Sequence, residues 1–346
     1  MTNSAATSQE LSSTVEHLLG DGKGILAADE STPTITKRFD KLGIESTADS
    51  RRDYRQMLFA TPGIGEFISG AILYDETIRS ETSDGTPFPQ AMERAGIMPG
   101  IKVDTGAKDL AGAPVEKVTE GLDGLRERLA EYYGMGARFA KWRAVIAIGD
   151  GIPSSYCIHT NAHALARYAA LCHEANIVPI VEPEVTMDGD HSIDRCYDAT
   201  KATLHALFDE LYEQRVLLEH ILLKANMVIS GSECPEQAGV DEVADKTLDC
   251  LRRVVPAAVP GVVFLSGGQS NELASAHLNA MNQRGPVPWI LSFSYARALQ
   301  GPAMEAWRGD ASNVETAQKA LHHRARCNSA ATRGEYSEEM EAVAVG

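Results

Sequence analysis

Lys224 interrupts the apolar run Ile221-Leu222-Leu223-Lys224-Ala225-Asn226-Met227-Val228, a stretch of strand length with a single ammonium in it. Burial disfavours the charged form of a lysine, lowers its pKa and yields a free amine able to attack a carbonyl. The plainer alternative is a strand-end lysine with a buried stem and its head in water. A second lysine has a similar setting in Phe139-Ala140-Lys141-Trp142-Arg143, and Val181-Glu182-Pro183-Glu184 carries two carboxylates two positions apart. Strand side chains alternate faces, so Lys141 and Arg143 share one face, as do Glu182 and Glu184. A lysine of ordinary pKa, about 10.4, is protonated at neutral pH, so Lys224 needs desolvation or a neighbouring cation such as Lys141 before it acts as a nucleophile. The glutamates then offer proton transfer and a counter-charge, since carboxylates in different surroundings hold different pKa values. A structural ion-pair network among the same groups is compatible with that chemistry.

Two regions have the composition of anion sites. Ser266-Gly267-Gly268-Gln269-Ser270 follows one apolar run and Ser294-Tyr295-Ala296-Arg297 the next. Glycines there let backbone N–H groups approach a phosphate. Ser31-Thr32-Pro33-Thr34, with Lys37 and Arg38 downstream and Lys102 elsewhere, forms the second region. Taken singly, these read as a turn and a helix N-cap. Flanking a carbonyl-reactive lysine, they point to a ligand phosphorylated at both ends.

Positioning these groups requires a scaffold, and eight short apolar runs supply its strands. They centre on Ile25-Leu26-Ala27, Ala71-Ile72-Leu73, Gly100-Ile101-Lys102-Val103, Arg138 to Trp142, Val178-Pro179-Ile180-Val181, Ile221-Leu222-Leu223, Val262 to Leu265 and Trp289 to Phe293. Helical patterns such as Ala162 to Glu174, Ala199 to Arg215 and Val240 to Val254 separate them. Eight strands alternating with helices predict an α/β fold of the (β/α)8 TIM-barrel type. The doubly wound open sheet, its rival, usually carries a phosphate loop after its first strand, and neither G-x-G-x-x-G nor a P-loop lysine motif occurs here. Asp29, Lys102 with Asp104, Lys141, Glu182, Lys224, Ser266 and Ser294 fall at the C-terminal ends of the runs, where barrel enzymes place their chemistry. The expected organisation is one catalytic domain, residues 1–326, followed by an acidic tail, 327–346.

The 346 residues are 44% apolar and carry 32 basic against 48 acidic side chains, a formal net charge of -16. That balance argues against nucleic acid or an anionic membrane surface as a partner. No apolar stretch reaches membrane-helix length and the N-terminal lead lacks a signal-peptide core, so the expected location is cytoplasmic. Six scattered cysteines without a C-x-x-C pair read as reduced, packed thiols rather than a zinc site or disulfide framework.

Several of these stretches, together with Gly24-Ile25-Leu26-Ala27-Ala28-Asp29-Glu30-Ser31-Thr32, Asp84-Gly85-Thr86-Pro87-Phe88-Pro89-Gln90 and Phe293 to Gln300, resemble class I fructose-bisphosphate aldolase, in order from about Gly22 to about Tyr336. The resemblance implies reversible, metal-independent and cofactor-free cleavage of fructose 1,6-bisphosphate to dihydroxyacetone phosphate and glyceraldehyde 3-phosphate. It implies Lys224 as the Schiff-base lysine, Glu182 as the main acid/base group, Asp29 on the C4 hydroxyl, Lys141 tuning the charges and Glu184 holding the lysines. It also implies Ser266, Gly267 and Arg297, with the Gly268 and Tyr295 segments, on the ketose-side phosphate. Ser31, Thr34, Arg38 and Lys102 take the other phosphate, and Arg143 and Ser294 line the site. Phosphorylated sugars are the expected partners, and a homotetramer the expected assembly.

Departures from the family pattern are Ala225 for a proline, Thr34 for a serine, Ala296 for a glycine, and an ending, Ala342-Val343-Ala344-Val345-Gly346, where animal members finish in a tyrosine. The acidic residues after Tyr336 are expected to avoid a pocket built for phosphates, so that removing them changes cleavage little. Two other functions remain to be weighed. A metal enzyme would use Asp29, Glu182 and Glu184 as ligands, with His159 and His163 spaced as a helical pair. A non-catalytic phosphosugar-binding protein leaves the buried lysine beside paired carboxylates unexplained.

Overall fold

A computed structural model describes residues 2–342; Met1 and the tail positions Val343 to Gly346 lie outside it. Among the described residues ten strands form: β1 (Gly24–Ala28), β2 (Ile68–Leu73), β3 (Met98–Lys102), β4 (Gly106–Leu110), β5 (Ala113–Glu120), β6 (Phe139–Ile146), β7 (Val178–Val185), β8 (Leu222–Ala225), β9 (Gly261–Phe264) and β10 (Ile290–Tyr295). Eight of them close a parallel barrel in the order β1-β10-β9-β8-β7-β6-β3-β2. All eight apolar runs are therefore barrel strands, and the (β/α)8 reading holds. The antiparallel hairpin β4–β5 has no counterpart in the sequence reading, because its solvent-facing strands hold too few apolar residues to stand out.

Around the barrel lie α1 (Thr2–Leu18), α2 (Thr32–Asp40), α3 (Ala48–Phe59), α4 (Asp75–Ile78), α5 (Phe88–Arg94), α6 (Leu125–Gly134), α7 (Ser155–Glu174), α8 (Ile193–Glu213), α9 (Val240–Val254), α10 (Asn271–Gln283), α11 (Arg297–Trp307) and α12 (Val314–Thr332). The boundary expected between residues 326 and 327 falls inside α12.

Strand alternation divides the apolar residues into two cores. Leu26, Ala140, Trp142, Val181, Leu223 and Phe264 face the helices, where the Trp142 ring meets that of Tyr168 at 5.6 Å. Ile25, Phe139, Ile180, Leu222 and Val263 face the barrel axis, and Leu11, Val15, Leu18 and Leu19 from α1 and the residues after it cluster with them. Phe139 fits there because β3 offers no side chain opposite it. A Cβ on Gly100 would lie 2.3 Å from the Phe139 ring.

Moving up each strand by two residues keeps the same face but changes the chemistry. Phe139 is followed inward by Lys141 and Arg143, Ile180 by Glu182 and Glu184, and Leu222 by Lys224. The interior is consequently apolar at the N-terminal end of the strands and ionic at the C-terminal end. The apolar layer excludes water from beneath the charged one, which strengthens each interaction within it.

Candidate active site

The ionic layer opens into a cavity of about 230 Å³ at the C-terminal ends of the strands. Its walls hold six basic and four acidic side chains, an excess of two formal positive charges in a chain whose net charge is -16. The cavity is thus locally matched to an anionic ligand against the sign of the whole molecule.

At its floor, Glu182 joins both buried lysines. Glu182 Oε1 lies 3.0 Å from Lys224 Nζ, and Oε2 lies 3.2 Å from Lys141 Nζ. Lys141 Nζ also meets Asp29 Oδ2 at 2.7 Å, which brings the residue after β1 into contact with β6 across the barrel. Among the described residues Lys141 therefore has two carboxylate partners and Lys224 one. Burial alone would lower the Lys141 ammonium, but Asp29 and Glu182 override it and hold Lys141 above the ordinary lysine value. Burial alone would raise the Asp29 carboxyl, yet Lys141, with Lys224 behind it, holds it well below the usual carboxylate range. Glu182 is likewise lowered, burial being outweighed by Lys141 and Lys224. Arg143 pairs with Glu184, one register step above this cluster. Thr119 of the hairpin donates its hydroxyl to the Arg143 carbonyl at 2.8 Å, so β5 braces that strand from outside.

The loops above supply two groups of cationic and hydroxyl side chains. Ser31 occupies the N-cap of α2 but caps nothing; its hydroxyl is 3.1 Å from that of Thr34, and both residues line the cavity. Arg38 and Lys102 line it too, each held by a carboxylate, Glu30 and Asp104 respectively. Ser266 and Gly267 after β9, Ser294 in β10 and Arg297 at the start of α11 provide the other group. Ser294 Oγ is buried and bonded to no protein atom among the described residues, which leaves it free for a ligand. Gly268 lies behind the wall, in a left-handed conformation with φ 90°, and a Cβ there would come within 2.9 Å of Met187 Sδ and 3.2 Å of Arg297 Nη2. Its role is to leave room for that guanidinium.

Tyr295 does not reach the cavity. Neighbouring strand residues point to opposite faces, so with Ser294 inward the Tyr295 ring enters the helix layer, where its hydroxyl donates to Ala274 O at 2.9 Å. Lys37 is not in the lining either, while Ala27, Glu30, Leu265 and Ala296 are. Glu30 is the notable addition. It pairs with Arg38 and, at 2.7 Å, with the buried Arg55, so it links one cavity-lining arginine to another element. The signal for it was a carboxylate in a buried strand-end motif followed by an arginine-bearing helix. His163 lies outside the site, 3.0 Å from Glu210 on the outer helices.

A (β/α)8 barrel with a lysine, a bridging glutamate and a cationic rim at its C-terminal face presents an amine and a carboxylate to an anionic ligand. Comparison with known proteins gives the family. Residues 10–345 match the family described as fructose-bisphosphate aldolase class-I. A probable fructose-bisphosphate aldolase class 1 of Xanthomonas campestris is 58% identical over 329 residues, covering 95% of this chain and 98% of that one. Fructose-bisphosphate aldolase 1 of Toxoplasma gondii is 50% identical, covering 96% and 92%. A solved structure of fructose-bisphosphate aldolase from Plasmodium falciparum superposes with a TM-score of 0.95 at 50% identity, covering 96% of each chain. The chain belongs to the class I fructose-bisphosphate aldolase family, and its activity is the reversible cleavage of fructose 1,6-bisphosphate to dihydroxyacetone phosphate and glyceraldehyde 3-phosphate.

Proposed function

We propose that Lys224 is the Schiff-base nucleophile and Glu182 the principal proton carrier of this reaction. The supporting observation is the asymmetry between the two buried lysines: among the described residues, Lys141 is held by two carboxylates and Lys224 by Glu182 alone. Lys224 Nζ adds to the ketose C2 carbonyl, and Glu182 passes the proton that lets the carbinolamine lose water. The iminium accepts the electron pair of the C3–C4 bond, which a bare carbonyl stabilises less well. The C4 hydroxyl, oriented by Asp29, gives its proton to Glu182 as the C3–C4 bond breaks and the aldehyde leaves. Protonation of the enamine at C3 and hydrolysis then free dihydroxyacetone phosphate and Lys224. Lys141, fixed as a cation, keeps Glu182 and Asp29 ionised between turnovers. Borohydride added with dihydroxyacetone phosphate is expected to leave a secondary amine on Lys224, located by peptide mass mapping. Modification at Lys102 or Lys141 instead overturns the assignment.

Arg297, with the Ser266 loop and Ser294, takes the ketose-side phosphate, and Ser31, Thr34, Arg38 and Lys102 take the other. What supports this reading is the clustering of cations and hydroxyls at those strand ends, with Ser294 Oγ unpartnered among the described residues. Arg297→Ala is expected to raise KM for both fructose 1,6-bisphosphate and fructose 1-phosphate by about tenfold or more, the scale of a charge-assisted hydrogen bond. Unchanged KM values would put the phosphate elsewhere.

No metal enters this scheme, because Asp29, Glu182 and Glu184 are neutralised by Lys141, Lys224 and Arg143 and the iminium supplies the electron sink. Cleavage in excess EDTA is expected to match the untreated rate; a large loss restored by zinc refutes the scheme. Among the described residues no helix is long and apolar enough to cross a membrane. Family membership supports a cytoplasmic homotetramer, which sedimentation at micromolar protein tests directly.

A further inference from the structure

Helix α11 contains Pro302, whose missing N–H deprives the Ala298 carbonyl of its helical donor. A side chain from α12 takes that place. Arg324 Nε donates to Ala298 O at 3.4 Å, while Nη2 donates to Asn271 O at 2.9 Å and to Ser275 Oγ at 2.7 Å. Ala298 follows Arg297 directly, and Asn271 opens α10 immediately after the Ser266–Ser270 loop. One guanidinium therefore grips the first turns of both helices that carry the ketose-side phosphate loops. Arg324 is only 3% exposed and lies outside the cavity lining, so it acts from behind.

A buried guanidinium needs a counter-charge. Among the described residues, the one carboxylate paired with Arg324 is Glu341, in the acidic segment beyond α12. Tyr336 secures that segment: its hydroxyl donates to Glu341 Oε1 at 3.0 Å, and its backbone N–H donates to Asn279 Oδ1 on α10 at 2.9 Å. Burial alone would raise the Glu341 carboxyl, but Arg324 overrides it and keeps it below the ordinary value. Glu341 Oε2 also lies 3.3 Å from His323 Nε2, and with Cys327 Sγ the donor atoms fall within 4.8 Å of one another. A divalent cation in that cluster would confront the Arg324 guanidinium, which already occupies the carboxylate. Glu338, Glu339 and Glu341 are not among the residues that line the cavity, and Glu341 holds a guanidinium instead.

We propose that Arg324 and Glu341 are positioning residues, a pair through which the C-terminal segment sets the geometry and affinity of the ketose-side phosphate loops. The proposal rests on the assignment of those loops given above, and it reverses the expectation that removing the acidic segment changes little. In the full chain, Glu341→Ala is expected to raise the inhibition constant of dihydroxyacetone phosphate and KM for fructose 1,6-bisphosphate about five- to tenfold, with kcat within about threefold. Inhibition by glyceraldehyde 3-phosphate should move less than about twofold, because it does not use the loops that Arg324 holds. Glu341→Gln retains an acceptor for the guanidinium and should fall between parent and Glu341→Ala. Tyr336→Phe, which removes a single hydroxyl, reads the same coupling more gently should Glu341→Ala fold poorly. Unchanged dihydroxyacetone phosphate binding in the folded variants, or equal weakening of both products, overturns the proposal. Arg297→Ala run in parallel separates the two levels: if it too leaves dihydroxyacetone phosphate unaffected, the loop assignment itself is wrong; if only Glu341→Ala is silent, the tail coupling alone fails.

Discussion

Lys224→Arg should abolish both cleavage and borohydride trapping while leaving the barrel folded. A guanidinium keeps the positive charge that Glu182 requires 3.0 Å away, so the buried carboxylate does not lose its partner. It cannot form an imine, however, and remains protonated at any pH the protein survives. Loss of a covalent nucleophile costs on the order of 10⁵-fold or more in turnover when the surrounding machinery depends on it. The measurements are kcat for fructose 1,6-bisphosphate, circular dichroism to establish folding, and mass mapping after borohydride and dihydroxyacetone phosphate. Retention of even about a hundredth of parental turnover in a folded variant would place the Schiff base on another lysine. Lys141 is the poorer candidate, since Asp29 and Glu182 both hold it as an ammonium.

Glu182→Gln should produce the second largest loss, about 10²- to 10⁴-fold in turnover, the range for removing a positioned proton carrier. The substitution preserves size and one hydrogen-bond acceptor but removes the exchangeable proton and the charge shared by two ammonium groups. Lys141 keeps Asp29 at 2.7 Å. Lys224 loses its one carboxylate partner among the described residues. Trapping should therefore slow as well as cleavage, because carbinolamine dehydration also needs the proton. Turnover within about threefold of the parent would shift the acid/base role to Asp29, the remaining carboxylate on the lysine pair, and Asp29→Asn would then carry the large effect.

The eight barrel strands, and most of the side chains that line the cavity at their C-terminal ends, were readable from the residues themselves. Covalent geometry makes strand side chains alternate, so Lys141 with Arg143 and Glu182 with Glu184 had to share faces, and apolar neighbours marked those strands as buried. The same rule, applied one residue further, turns Tyr295 away from the cavity that Ser294 faces. Local pattern did not reveal the partners. Asp29 meets Lys141, Glu30 meets Arg55, and Arg324 joins Asn271, Ala298 and Glu341, pairs that barrel closure and helix packing bring together from distant positions in the chain. The hairpin β4–β5 was invisible for a related reason, since its strands are defined by each other rather than by an apolar core. Sequence specifies which groups are present and which face of their own strand or helix they occupy, because both follow from bonded geometry. Which lysine has two carboxylates and which has one, and what stands behind the loops after β9 and β10, is decided by distances across the barrel that exist only once it has closed.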